Sequence, residues 1–297
     1  MTIAQLKNET DTVTNTWHNA KAVIVGSRIP SSTELETIRK QKKPLIYLMT
    51  TDPIVGDIER FSYATSIPVE HMDFISSCDS IWLTENLKQH MSYVEAIYKR
   101  PVKIVPTIWD NSYTSSIEKT YKFKQNDSPL TIIILETNAT FNTTGWKQLI
   151  ICEQLYLKNP ASISEVFLFN TPDTNQTCMG MINSLSIKKN GKLRIFKSLP
   201  IKDIISFFMD RPNVVFLTNQ IFDDLSYNYY DVLNAGFKVV HSSPSLKEAD
   251  VGYYYNNLDI NGAVVHLKNK EYNPESDLIK NRKFLRSMRL ADSSIFE

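Results

Sequence analysis

Residues 213–255 read NVVFLTNQIFDDLSYNYYDVLNAGFKVVHSSPSLKEADVGYYY. The run Asn213–Thr218 is β-branched and aromatic, the pattern of a buried strand. Asp223–Ala235 then places Leu225, Tyr229, Val232 and Leu233 at helical spacing, and Gly236 stands where a left-handed residue ends a helix. Lys238–Ser242 is the next strand. A strand, a helix and a second strand joined by short connections build a parallel sheet. Ligands of such sheets collect at the carboxyl ends of the strands, where helix N-termini also point. The spacing brings Asp223, Asp224, Ser226, Asn228 and Asp231 to such an end.

Working outward, the same alternation recurs on both sides. Upstream come strands at Ala22–Val25, Leu45–Met49, Ser80–Thr84 and Val102–Pro106, with helices from Ser31-Ser32-Thr33-Glu34, a hydroxyl-then-acid start, and over Glu85–Lys99. Residues 111–128 are polar and lack an apolar stripe, which reads as a crossing between domains. Thr131–Leu135 opens a second run: a helix over Gly145–Leu157, strands at Glu165–Asn170 and Leu193–Lys197, and a helix from Ile201 after Pro200. After the central stretch, Gly262–Leu267 reads as a last short strand and Ser276–Leu290 as a basic terminal helix.

The central stretch resembles the donor-binding part of GT-B glycosyltransferases. In their retaining members, two acids separated by seven residues precede a small-residue, Gly, Pro-Val-Val turn. The matching positions are Asp223 and Asp231, then Asn234-Ala235-Gly236 and Lys238-Val239-Val240. Aspartates replace the family glutamates and Lys238 replaces the proline. A closer resemblance is to a GT-B-like bacterial and viral family long catalogued as a domain of unknown function. Its pattern, Asn-Tyr-x-Tyr-Leu-(Asp/Glu)-x-Leu, Gly-Phe-x-Leu-x-His-x-Ser-Pro and Gly-Tyr-Tyr-Tyr, is met by Tyr227–Asp231 with Leu233, by Gly236-Phe237, by His241-Ser242-Ser243-Pro244 and by Gly252–Tyr255. The order of elements over residues 80–110 also resembles the end of a first GT-B domain.

The resemblance implies an α/β fold of two Rossmann-like domains with parallel sheets. The acceptor-side domain would cover residues 1–125, short for this architecture, and the nucleotide-sugar domain residues 126–297. It implies transfer of a sugar from a nucleoside-diphosphate sugar, the co-substrate, to an unidentified acceptor: glycan, protein or small molecule. Asp52, in the Thr50–Pro53 loop, and Asp223 are the implied catalytic acids. Asp-Pro is equally ordinary turn chemistry. Asp231 is implied to accept hydrogen bonds from the donor ribose, because a carboxylate offers two oxygens to two vicinal hydroxyls. The stretch from Glu136 to Lys147 joins a buried strand to a helix, and its free N–H groups suit a diphosphate. Asn138, Thr143, Thr144, Gly145 and Lys147 are its donor-binding candidates, Thr143 or Thr144 as the cap. Ser198, Ser226, Tyr227 and Asn228 complete the set, with capping and packing as the alternative role.

Bulk properties narrow the classes. A chain of 297 residues, 42% hydrophobic and 22% charged, has material for two cores. A net charge of +1 speaks against a protein held on nucleic acid by charge. Cys78, Cys152 and Cys178 are far apart, which fits reduced thiols. No signal-peptide core or membrane-length apolar run appears, so a cytoplasmic protein is expected. No metal-ligand set and no Asp-x-Asp after a strand appear, so catalysis without a bound metal is expected, with no cofactor. A nucleotide-sugar-binding module without turnover and a transferase acting on modified DNA are the competing readings.

Overall fold

The computed structural model describes residues 21–26, 29–50, 53–54, 57, 69–123, 128–138, 143–171, 176–219, 226–269 and 273–288. The chain divides into two units between Thr107 and Ile108. The first carries a four-stranded parallel sheet in the order β1 (Val23–Val25), β2 (Leu45–Met49), β3 (Ser80–Thr84), β4 (Val102–Val105). Simple succession of strands follows from short crossovers. The helix α1 (Ser32–Lys40) starts at a capping box between Ser31 and Glu34 and buries Ile38. Helix α2 (Val69–Ser77) follows. The segment expected as one helix over Glu85–Lys99 begins as a 3₁₀ stretch, Glu85–His90, and continues as α3 (Met91–Tyr98). Of the apolar side expected at Leu87, Met91, Val94 and Ile97, Leu87 and Val94 are buried, Met91 is partly buried and Ile97 is exposed, with Tyr98 buried beside it.

The second unit has a six-stranded sheet, all parallel. In chain order its strands are β5 (Leu130–Ile134), β6 (Ile163–Leu168), β7 (Leu193–Ile195), β8 (Val214–Leu217), β9 (Lys238–His241) and β10 (Tyr253–Tyr254). In space they run β10-β9-β8-β5-β6-β7. The chain therefore starts in the middle, moves to one edge, returns to the other side of β5 and moves to the opposite edge. The reversal lies between β5 and β8, and a crevice opens at the carboxyl ends of such a pair. The central strands are wholly buried because both faces are covered: Ile132, Ile133 and Ile134 on β5, Val214, Val215, Phe216 and Leu217 on β8. The covering helices include α4 (Trp146–Lys158), α5 (Gln176–Ser184), α6 (Ser186–Lys189), α7 (Ile201–Phe208), α8 (Tyr227–Asn234) and α9 (Pro244–Glu248).

Two expectations are corrected. Gly262–Leu267 is not a strand but the body of helix α10 (Ile260–Lys268). Asp259 caps it by accepting from the Gly262 amide at 2.8 Å, and Ala263, Val264 and Leu267 fall on one buried helical face. A run of six residues does not distinguish the two periods when the apolar positions are 263, 264, 265 and 267. Of residues 111–128, expected as a crossing between domains, the described part up to Phe123 belongs to the second unit, which begins at Ile108. Tyr121 stacks on Phe237 at 4.2 Å, its amide bonds Ala235 O at 2.8 Å, and its hydroxyl receives the Val214 amide at 2.7 Å. Three widely spaced aromatics, Trp109, Tyr121 and Phe123, anchor this polar segment. The terminal helix α11 (Pro274–Ser287) ends beside its start, with the Trp109 amide on Met288 O at 3.0 Å.

Candidate functional site

The chain reversal puts Glu136, just beyond β5, against Asn219, just beyond β8. The Asn219 amide donates to Glu136 Oε1 at 2.9 Å. Glu136 is only 2% exposed, so its carboxylate needs internal donors. It also has Gln148 Nε2 at 3.0 Å and the Tyr229 hydroxyl at 2.9 Å and 3.1 Å from its two oxygens. These come from the first turn of α4 and from α8. Burial and the nearby Glu136 charge push the Tyr229 hydroxyl well above its ordinary pKa, so it remains a donor. The network continues through Asn219 Nδ2, which donates to Ser242 Oγ at 2.6 Å and to Asn257 Oδ1 at 2.7 Å. Asn257 Oδ1 also accepts from Lys147 Nζ. Every turn following β5, β8, β9 and β10 is thus tied into one polar floor.

The turn from Glu136 to Lys147 is set by Asn138, which adopts the left-handed region at φ 52°. Its Oδ1 accepts from the Gly145 amide at 2.7 Å, and its Nδ2 donates to Glu136 O and Phe169 O. The Thr137 and Thr143 hydroxyls bond at 2.7 Å. The N-cap position of α4 is Gly145, not a threonine. Thr144 Oγ1 accepts weakly from the Trp146 amide at 3.3 Å. A side chain at position 145 would meet Leu168 Cδ1 at 2.7 Å, which explains the glycine by close packing. Lys147 lies half-buried above the floor, its Nζ 5.3 Å from the centre of the Tyr255 ring. Burial brings its pKa down to about 8.

On the β6–β7 side the strand ends enclose a cavity of about 600 Å³. Leu135, Ile201 and Ile204 supply apolar walls; Thr137, Asn170, Thr171, Ser198 and Asn228 supply polar ones. Asn170, left-handed at φ 55°, bonds Leu135 O through its side chain. Thr171 is buried, and its Oγ1 has no hydrogen-bond partner.

The expected residues thus fall into three places. Ser198 and Asn228 line the cavity. Asn138, Thr143, Thr144, Gly145 and Lys147 form the turn beside it. Ser226 caps α8, accepting from the Asn228 amide at 3.4 Å, and Tyr227 is 43% exposed next to it. Asp231 stands apart, buried one turn along α8, where its Oδ1 accepts from Trp109 Nε1 at 3.3 Å and Thr114 Oγ1 at 3.5 Å. Burial raises its pKa to about 6, the two hydrogen bonds oppose that, and Asp110 adds to it. Asp52 and Asp223 lie outside the described residues. Gln148 and Asn257 were not anticipated, and no role was expected for the side chains of Glu136 and Asn219.

The model of the family described as "Protein of unknown function (DUF2827)" matches residues 14–290. The chain belongs to that family. No curated protein matches the sequence of this DUF2827 member. Its fold is that of solved sugar-phosphate synthases. A UDP-forming α,α-trehalose-phosphate synthase from Burkholderia xenovorans matches at TM-score 0.57 and 12% identity, over 86% of this chain and 67% of that one. The complex of such an enzyme from the same organism with glucose-6-phosphate matches at TM-score 0.60 and 9% identity, over 90% and 69%. A sucrose-phosphate synthase from Thermosynechococcus elongatus matches at TM-score 0.55 and 9% identity, over 85% and 66%. The DUF2827 chain is therefore a GT-B-like α/β protein with two parallel sheets, shorter than these neighbours. Among the described residues no helix is long and apolar enough to cross a membrane, and no group of His, Cys, Asp or Glu could hold a metal ion.

Proposed function

We propose that this protein is a glycosyltransferase that moves a sugar from a nucleoside-diphosphate sugar to an acceptor hydroxyl. The observation that carries the reading is the polar floor at the chain reversal of the second sheet, flanked by an open cavity and the N-terminus of α4. A donor's base would occupy the cavity, against Ser198 and Asn228. Its diphosphate would lie over the turn at Gly145, where helix amides and the Lys147 ammonium offset the charge that builds on the leaving group. This needs no metal ion. Asp52 and Asp223 are proposed as the acids at the reacting centre, and Asp231 as the ribose acceptor through its second oxygen, on the resemblance of their motifs. The neighbours' names mention UDP, glucose-6-phosphate and UDP-2-fluoro glucose, which makes UDP-sugars the first donors to try and sugar phosphates the first acceptors.

The test is a screen of nucleotide sugars for thermal stabilisation, followed by transfer assays with sugar phosphates, with and without a chelator. A ligand at a hundred times its Kd stabilises the native state by about 2.7 kcal/mol. Absence of any shift across UDP-, GDP- and ADP-sugars would sink the proposal, and activity restored only by a divalent ion would sink its metal-independent form. A binding module without turnover is the second reading. It draws on Asn138, whose amide is spent on backbone groups where sugar-nucleotide enzymes often carry an arginine. Saturable binding without transfer would favour it.

A further inference from the structure

Lys147 is a half-buried cation without an anion among the described residues. Its ammonium has one hydrogen bond, to Asn257 Oδ1, and one aromatic face, that of Tyr255. Asn257 is in turn fixed by Asn219 Nδ2, and Asn219 is fixed by Glu136. The nearest carboxylate in this chain of bonds, that of Glu136, is spent on Asn219, Gln148 and Tyr229. The Tyr255 hydroxyl, held up by burial, donates to Thr218 O. Asp259, two residues beyond Asn257, is occupied by the Gly262 amide. An amide at position 257 therefore does something a carboxylate would not. It accepts a hydrogen bond from the lysine and leaves the unit charge intact.

We propose that Asn257 is a positioning residue that holds the Lys147 ammonium over the strand ends, unneutralised, for the diphosphate of the donor. The proposal rests on the glycosyltransferase reading, which supplies the diphosphate, but the residue acts through Lys147 rather than on substrate. It has a consequence for pH. Burial without a counter-charge lets Lys147 lose its proton near pH 8. The sign follows: the free ammonium is present below that pH, and affinity for a diphosphate falls as pH rises through it. A bound diphosphate would supply the missing anion and hold the proton on.

The experiment compares wild type, Asn257→Asp and Lys147→Gln. Asn257→Asp keeps the size of the side chain and an acceptor for both Asn219 and Lys147, so the fold is retained. The Lys147 titration is read directly, by competitive acylation of the protein across pH 6–11 and mass spectrometry of the peptide. Uridine diphosphate and inorganic pyrophosphate are titrated calorimetrically over pH 6–9. The expected result is a Lys147 titration moved to higher pH in Asn257→Asp. Affinity for both anions at pH 7 then falls by about tenfold or more in that variant, as it does in Lys147→Gln. The pH at which the residual affinity fades also moves up. Unchanged uridine diphosphate affinity and pH profile in Asn257→Asp would overturn the proposal. So would a Lys147 titration that ignores the change. Wild type that binds neither anion at any pH would remove the donor reading and the positioning role together. That outcome is told apart from the others because wild type itself is then silent.

Discussion

Both sheets of this protein are parallel, but they differ in strand order and in what their strand ends carry. In the first unit the described strand ends are tied sparsely. Thr84 Oγ1 reaches Met49 O at 3.5 Å and Thr107 Oγ1 reaches Asn86 at 3.3 Å. In the second, four strand ends share a buried network of a carboxylate, three amide side chains, hydroxyls and a lysine. Polar groups taken out of water stabilise only when every member is satisfied, and a broken network is worse than an apolar core. The second unit therefore carries its polar floor at a structural risk that the described part of the first does not run. The difference suits the proposed donor side, which would meet a charged nucleotide in a fixed geometry.

The contrast is broken most directly at its centre. Glu136→Ala leaves the Asn219 amide and the Tyr229 hydroxyl without their acceptor and Gln148 with only Asn219 O, and should destabilise by about 3 kcal/mol or more in urea unfolding. The matching change in the first sheet, Thr84→Val, removes one long hydrogen bond and should cost less than about 1 kcal/mol. Similar costs for the two would erase the distinction.

The next effect is at Asp231. Its pKa of about 6 in the folded protein lies above the ordinary carboxylate value of 3.8. The folded state thus binds this proton more tightly than the unfolded one. The charged form is a burden above about pH 6 that lightens as pH falls and is gone below the unfolded value. Asp231→Asn keeps the shape and the acceptor for Trp109. It should stabilise the free protein by roughly 2 to 3 kcal/mol at pH 7.5, with the difference from wild type vanishing near pH 4. If Asp231 also holds the ribose, nucleoside diphosphate affinity should fall by about tenfold in the same variant. Calorimetric melting at both pH values and a binding titration read the two effects separately.

A smaller change sharpens the account of residues 108–123. Gly236 has φ 87°, and a Cβ there would stand 2.9 Å from Tyr121 O. Gly236→Ala should cost about 2 kcal/mol, from the left-handed backbone and from the strand of chain laid across it. A neutral outcome would mean that this segment yields. The least effect is expected at Thr171→Val, which replaces an unpartnered buried hydroxyl by a methyl of similar size. The free protein should change by less than about 1 kcal/mol, toward greater stability. A loss of nucleotide affinity on top of that would place the hydroxyl in base recognition.

Where an apolar run was unbroken and rich in β-branched residues, the fold was legible. Ile132–Ile134 and Val214–Leu217 could only be buried strands, and Gly236 could only end a helix. The period failed where it was short or borrowed. Gly262–Leu267 has too few apolar positions to separate a strand from a helix, and Asp259 decides the matter from outside the run. Residues 108–123 look solvated because their three buried aromatics are spaced by polar residues that face out. Of the candidate site, the turn around Gly145 and the cavity residues Ser198 and Asn228 could be placed from strand ends alone. The floor beneath them could not. Glu136, Asn219 and Asn257 are 83 and 38 residues apart along the chain, and the only thing that joins them is the order in which the strands are laid down.

The Trp109 amide on Met288 O has a consequence for the second unit as a piece of chain. Among the described residues of that unit, the beginning and the end lie side by side, joined by one hydrogen bond of 3.0 Å. A segment whose two ends meet can be closed into a ring, reopened at an exposed turn such as Asn190–Gly191, or spliced as a cassette into a host loop, without rerouting any strand of its sheet.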